Sequence, residues 1–261
     1  MREEIMKAKR IVIKVGTSIL TSNEGKISAA SVAHIARPAL GLIETSHEVV
    51  IVSSGAIAFG MQALGLRKRP KNMARLQAAA AIGQGKMMHA YENFFASHGK
   101  LASQILLTRD ALEDRKRFLT ARRTFIELFK LGSVPIVNEN DTVAVEEIAF
   151  GDNDILSVHV AHLVDADLLV ILSDVDGFFL KNGNRVREVQ RLSEIDGKLE
   201  KHLSDSQKEK TVGGMRAKLK AARVAMSLGV PLLLLNGRKE DALKQALEGR
   251  DIGTLFHPAK K

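Results

Sequence analysis

The sequence predicts an α/β fold, a mostly parallel central sheet sandwiched by helices, and three observations predict it. Short runs rich in Val, Ile and Leu alternate with longer amphipathic stretches. The short runs are apolar almost without interruption, as strands buried on both faces of a parallel sheet are. Gly, Ser, Asn and Asp gather just after those runs, where the chain leaves the sheet. Strands are expected at 10–15, 48–53, 101–107, 134–138, 168–173 and 231–235, and helical stretches at 28–46, 72–97, 111–131, 153–165 and 215–228. A chain of 261 residues suffices for one large α/β domain. No internal repeat, low-complexity tract or Pro/Gly/Ser linker divides it, so 1–261 reads as a single domain, with 180–203 as a local insertion. Ligands of open α/β sheets bind beyond the carboxyl ends of the strands. The turns VGTS, SSGA, NEND and SDVDG are therefore expected to converge on one edge.

Composition narrows the function classes. There is no cysteine, which excludes a disulfide framework, a thiolate metal site and a Cys nucleophile. The N-terminal MREEIMKAKR is charged and passes directly into a strand-like run, unlike a signal peptide. The longest apolar runs, such as LLVIL at 168–172, are too short to span a bilayer. A cytoplasmic protein with no membrane partner is expected. The net charge of +9 attracts anions, whether nucleic acid, acidic lipid or small phosphates. That charge is dispersed, and its densest cluster, Arg67-Lys68-Arg69-Pro70-Lys71, reads as a solvated loop rather than a nucleic-acid patch.

No G-x-x-x-x-G-K-[ST] loop is present, nor the glycine loop, H-R-D and D-F-G set of protein kinases. Phosphate chemistry here needs another scaffold. The first strand supplies a starting point in Ile13-Lys14-Val15-Gly16-Thr17-Ser18. A lysine within an apolar strand needs an anion, because burying an ammonium alone is costly; the plainer reading is an edge lysine snorkelling to solvent. Gly16 permits close backbone approach to a ligand. The second strand runs into Ser53-Ser54-Gly55-Ala56, a strand-to-helix turn whose free N–H groups suit a phosphate or a carboxylate. Ordinary Ser capping explains it too. G-x-S-x-G is missing, so Ser53 is not the nucleophile of a hydrolase elbow.

Asn138-Glu139-Asn140-Asp141 and Gly151-Asp152-Asn153-Asp154 form two clusters of carboxylates and amides, each beside a turn. Such groups can hold an α-ammonium and an α-carboxylate together. Asp152 and Asp154 can also ligate a metal, and Asx-turns or helix capping remain open; the EF-hand spacing is missing. Val212-Gly213-Gly214-Met215-Arg216-Ala217-Lys218 opens a helix with paired glycines and puts Lys218 in its first turn. Ser173-Asp174-Val175-Asp176-Gly177 follows the most hydrophobic strand and can hold a ribose or base. His159 and His162 lie three apart on one helix, with no third ligand evident, and read as surface or core-edge histidines.

Taken together, IKVGTSIL (13–20), IVSSGAIAFG (51–60), QILLTRDALEDRKRFLTARRT (104–124), VPIVNENDTVAVEEIAFGDNDILSVHVA (134–161), LLVILSDVDGFF (168–179), VGGMRAK (212–218) and GTLFHP (253–258) resemble the amino-acid kinase family across essentially the whole chain. NEND-x-VA followed by GDND is similar to the branch that phosphorylates glutamate, as opposed to those acting on aspartate, acetylglutamate, carbamate or UMP. The resemblance implies ATP and Mg²⁺ as cofactors and L-glutamate as acceptor. It makes Ser54, Asp141 and Asn153 glutamate-binding residues. Lys14 and Lys218 would bracket the transferring phosphoryl group, with Asp154 orienting both. Lys14, Ser173, Asp174 and Val212, Gly213, Gly214, Met215, Arg216, Ala217 and Lys218 would hold ATP. No dedicated protein metal site is expected.

Two departures accompany the resemblance. Val212 stands where many members carry Thr, which removes one hydroxyl contact to the nucleotide. Many glutamate-phosphorylating members also continue into a C-terminal PUA domain, and the kinase domain is expected to stand alone here. The resemblance further implies a homo-oligomer, dimer or tetramer, functionally coupled to the next enzyme of the pathway. Competing expectations are a member acting on acetylglutamate or UMP and, last, a nonenzymatic nucleic-acid-binding protein.

Overall fold

A computed structural model describes residues 2–21, 26–143, 153–195, 199 and 214–259. Its strands are β1 (Arg10–Val15), β2 (Glu48–Ser53), β3 (Leu101–Leu107), β4 (Ser133–Glu139), β5 (Leu168–Ser173), β6 (Phe178–Phe179), β7 (Arg185–Val186), β8 (Glu188–Val189), β9 (Leu232–Asn236) and β10 (Thr254–Phe256). Eight of them form one sheet in the order β3-β4-β2-β1-β5-β9-β10-β8, while β6 and β7 pair as a separate hairpin. Every neighbour in the large sheet runs parallel except β9 and β10. Because β4, β2, β1 and β5 are parallel neighbours, the turns that follow them emerge along one edge, as their composition predicts.

The helices are α1 (Arg2–Ile5), α2 (Thr17–Leu20), α3 (Ala29–Glu44), α4 (Ala56–Ala63), α5 (Met73–Ala96), α6 (Arg109–Glu113), α7 (Arg115–Lys130), α8 (Asn153–Leu163), α9 (Leu192–Glu194), α10 (Met215–Ser227) and α11 (Ala242–Leu247). They cover the sheet in two layers. Ile11, Ile13, Ile51, Val170 and Leu235 pack with residues of α3, α5 and α11, and Val12, Val50, Val52, Ile171 and Leu234 with residues of α7, α8 and α10. Both faces are therefore dry, which is why the strands read as continuous apolar runs. Side chains alternate along a strand, so Lys14 falls on the face of Val12 and meets α8 and α10 instead of solvent.

The six expected strands are present, each within a residue of its expected ends. β9 starts one residue late because Pro231 has no N–H to donate; its carbonyl still accepts from Leu169 N at 2.9 Å. The stretch 111–131 is two helices rather than one. Asp114 leaves helical conformation (ψ 118°) and caps α7, accepting from Arg117 N at 2.8 Å. The stretch 180–203, expected as an insertion, supplies β7 and also β8, which closes one end of the main sheet.

The short helix α4 crosses α5 with almost no space between backbones. A Cβ on Gly60 would stand 1.8 Å from Ala79 O, and one on Gly83 1.8 Å from Ala56 O. Only glycine tolerates this approach. Gly55, which precedes α4, also needs its glycine, since its φ is +113°. The crossing holds the Ser54–Gly55 turn against the middle of α5.

Candidate active site

Three charged side chains meet at the strand edge. Asp154 lies fully buried in the first turn of α8, where the helix dipole favours a carboxylate. Its Oδ1 is 2.5 Å from Lys14 Nζ and its Oδ2 3.3 Å from Lys218 Nζ. The lysines come from opposite sides, Lys14 from β1 and Lys218 from the first turn of α10. The snorkelling alternative for Lys14 is excluded, because its side chain is only 5% exposed. Among the described residues two ammonium groups face this one carboxylate, an arrangement that suits an incoming anion. Gly16, just beyond β1, lies close by: a Cβ there would sit 3.8 Å from Lys14 Nζ and 3.4 Å from Leu172 O. The backbone is thus open to a ligand where the lysine points.

Next to the charges runs a relay of neutral amides. Asn153, the residue before Asp154, donates from Nδ2 to Ser54 Oγ at 2.9 Å and to Asn138 Oδ1 at 2.9 Å. Asn138 Nδ2 donates in turn to Gln84 Oε1 at 3.0 Å. Ser54 is held from its other side too, its N–H donating to Val15 O at 3.1 Å. Beneath the turn, Ser53 Oγ lies 3.0 Å from the hydroxyl of Tyr91, whose pKa burial pushes up to about 12.

The remaining expected residues lie around this centre. Asp141 stands in the turn after β4, whose Asn140 N–H donates to Leu107 O at 2.9 Å. Burial pushes the Asp141 carboxyl above its ordinary value, and the nearby Arg69 guanidinium opposes that rise. Arg69 belongs to the exposed basic cluster, so that loop is solvated as expected but also faces the acidic turn. Ser173 is buried at the end of β5 and donates from Oγ to Asp174 Oδ1 at 3.2 Å, with Asp174 exposed. Gly214 caps α10; Met215 is buried and Arg216 exposed, with Ala217 between those extremes. Asp152, Val212 and Gly213 lie outside the described residues. His159 and His162 sit on α8 away from the cluster; burial lowers the His159 pKa, and the His162 ring lies 6.1 Å from that of Phe118.

The model of the amino acid kinase family matches residues 9–236. The chain belongs to the amino acid kinase family. Within it the chain stands with the glutamate 5-kinases: it is 47% identical to the glutamate 5-kinase of Carboxydothermus hydrogenoformans over 266 residues, covering all of this chain and 71% of that one. The Thermus thermophilus glutamate 5-kinase is 45% identical over 258 residues, with 98% and 69% covered. Among solved structures, carbamate kinase from Giardia lamblia bound to AMP-PNP superposes with a TM-score of 0.68 at 20% identity, covering 97% of this chain and 99% of that one. UMP kinase from Bacillus anthracis gives 0.62 at 18%, covering 97% of each. At such identities these two show the fold alone.

Amino acid kinase motifs thus lead directly to the charged cluster, because each lysine stands out from an apolar or glycine-rich context. They lead less well to the amide relay. Asn138 falls in the Asn138–Asp141 cluster but receives no role from the resemblance, and Gln84 lies outside every motif, although each carries a sequence signal. Asn138 is an amide near the end of a largely apolar strand, and Gln84 is an amide between two glycines in a long helix.

Proposed function

We propose that this amino acid kinase transfers the γ-phosphate of ATP to the side-chain carboxylate of L-glutamate, giving glutamyl 5-phosphate, the first step of proline biosynthesis. The observation that carries the reading is Asp154 held between Lys14 and Lys218. A carboxylate is already a nucleophile at neutral pH, so no general base is required. The difficulty is to bring two anions together and neutralise charge spread over the phosphoryl oxygens. Lys14 and Lys218 do this as preorganised cations in a site already dry. Asp154 offsets the repulsion between them and fixes their spacing. Ser54 and Asn153 hold the acceptor, Asp141 pairs with its α-ammonium, and Ser173, Asp174 and residues 212–218 hold the nucleotide.

Magnesium would enter with the nucleotide, since both Asp154 oxygens face lysines. When bound, the ion would neutralise charge on the nucleotide phosphates.

Among the described residues no helix is long and apolar enough to cross a membrane. The acyl phosphate product hydrolyses readily, which favours a closed site or coupling to the enzyme that consumes the product. The deciding experiment measures ADP release by purified protein with ATP and Mg²⁺, offering glutamate, aspartate, acetylglutamate or UMP. Glutamate is expected to be preferred by orders of magnitude. Preference for acetylglutamate or UMP would move the chain to another branch of the family.

A further inference from the structure

Gln84 ends the amide relay, and the relay's polarity can be read from its other end. Asn153 Nδ2 lies 3.4 Å from the main-chain carbonyl of Ser53, a group that can only accept. An amide nitrogen is a weak partner at that distance, whereas an amide oxygen would be repelled. With Asn153 presenting nitrogen, Asn138 answers with Oδ1, its Nδ2 faces outward, and Gln84 answers with Oε1. The remaining atom, Gln84 Nε2, is therefore a donor by necessity. It is buried and has no acceptor among the described residues. A buried donor without a partner is costly, and native proteins keep few of them. The same polarity makes Ser54 Oγ the acceptor from Asn153, so the Ser54 hydroxyl proton is left to point elsewhere.

The relay extends across the site rather than into the lysines. Asn138 is the last but one residue of β4, and β2 lies between β4 and the β1 strand that bears Lys14. Neighbouring strands are about 4.8 Å apart, so the outer end of the relay stands roughly 10 Å from the phosphoryl end. Glutamate carries a carboxylate at each end. When one meets the lysines, the other is directed toward β4 and α5.

We propose that Gln84 is an acceptor-binding residue whose Nε2 donates to an oxygen of the substrate carboxylate remote from the lysine pair. The inference rests on the acceptor being a carboxylic acid, as the proposed function has it. Gln84 would then serve two neighbours, supporting Asn138 through Oε1 and reading the substrate through Nε2.

Two variants separate reading from mere support. Gln84→Glu keeps an oxygen to accept from Asn138 but puts an anion where the donor was. Gln84→Met removes both functions without adding charge. The expected result is an apparent KM for glutamate raised roughly 10-fold in Gln84→Met and about 100-fold in Gln84→Glu, with the KM for ATP unchanged in both. Near-normal glutamate KM in Gln84→Glu, with only Gln84→Met impaired, would reduce Gln84 to a support for Asn138 and overturn the proposal. An equal rise in the KM for ATP would overturn it too. Should Gln84→Met fail to fold, the glutamate-induced rise in Tm of Gln84→Glu decides by itself: its loss supports the contact and its retention refutes it. If the wild-type protein prefers acetylglutamate, the glutamate reading fails while the ranking of the two variants on that acceptor still tests Gln84.

Discussion

Asp154 and Asn153 are neighbours in sequence, yet they anchor two polar regions built on opposite principles. Asp154 gathers charge: two lysines close on a carboxylate that has no exposed surface. Asn153 gathers neutral hydrogen bonds from three other elements, through Ser54, Asn138 and Gln84. The first suits a transferring group whose charge shifts during reaction, because fixed charges in a dry site stabilise a transition state strongly. The second suits recognition of an acceptor, because directional bonds discriminate shape at lower energetic risk. One turn of α8 thus points its first residue at the amide relay and its second at the lysine pair, the acceptor and phosphoryl sides of the proposed reaction.

The sharpest way to break this division is to remove a charge. Lys218→Ala and Lys14→Ala are each expected to lower turnover about 10²- to 10³-fold or more in a folded protein, the scale of losing one preorganised stabiliser. Steady-state kinetics beside a thermal melt measure both quantities. Near-normal turnover in either folded variant would remove that lysine from the charged region.

Asp154→Asn tests whether the carboxylate orients lysines or holds metal. The variant keeps the side chain's shape and loses its charge. Turnover is expected to fall sharply, while the Mg²⁺ concentration giving half-maximal rate barely moves. Rescue by excess Mg²⁺ would instead make Asp154 a metal ligand, against a geometry in which both its oxygens face ammonium groups.

Much of this division was legible in the sequence, and unevenly so. Lys14 is conspicuous because an ammonium in an apolar strand demands an explanation, and Lys218 because paired glycines open its helix. The parallel sheet is legible from the unbroken apolarity of β1, β2 and β5. The α4–α5 crossing is not, since Gly60 and Gly83 reveal their contact only once the two helices are packed. Gln84 is hidden for the same reason: its partner Asn138 is 54 residues away, and no local pattern links them. The strand β10 is equally obscure, because three residues carry too little periodicity to read.

Effects on the acceptor side are expected to be smaller and to fall on binding. Asn153→Ala and Asp141→Ala are expected to raise the glutamate KM roughly 10- to 100-fold and leave the ATP KM in place, as loss of hydrogen bonds to a charged ligand does. Asp141 adds a pH signature. Burial raises its folded pKa, so it loses its charge, and with it the proposed pairing to the α-ammonium, at a higher pH than an ordinary carboxylate would as pH falls. Arg69 opposes that shift, so Arg69→Ala is expected to move the onset of lost kcat/KM for glutamate to still higher pH. A profile unchanged in Arg69→Ala would separate the basic loop from the acceptor region.

The smallest effect is expected at Tyr91, and its smallness is informative. Tyr91 is the one tyrosine of the chain, fully buried, with its hydroxyl 3.0 Å from Ser53 Oγ. It touches the residue beside Ser54 and so lies next to the acceptor region without joining the amide relay. Its pKa of about 12 keeps the phenol neutral at working pH, so it contributes no titration. Tyr91→Phe removes one hydroxyl from a packed site. Ser53 Oγ keeps a second bond, donating to Ser54 O at 3.2 Å, so no group there is stranded. The cost is then that of one neutral hydrogen bond, about 1 kcal/mol, or a Tm lowered by roughly 2–4 °C for a domain of this size. The glutamate KM is expected to stay within about threefold of wild type, since the relay positions Ser54 through its side chain and its own N–H. Calorimetry and kinetics on the same preparation make the check. A KM change as large as that of Asn153→Ala would show that the acceptor region extends through Ser53 to Tyr91, and that the amide relay alone does not define it.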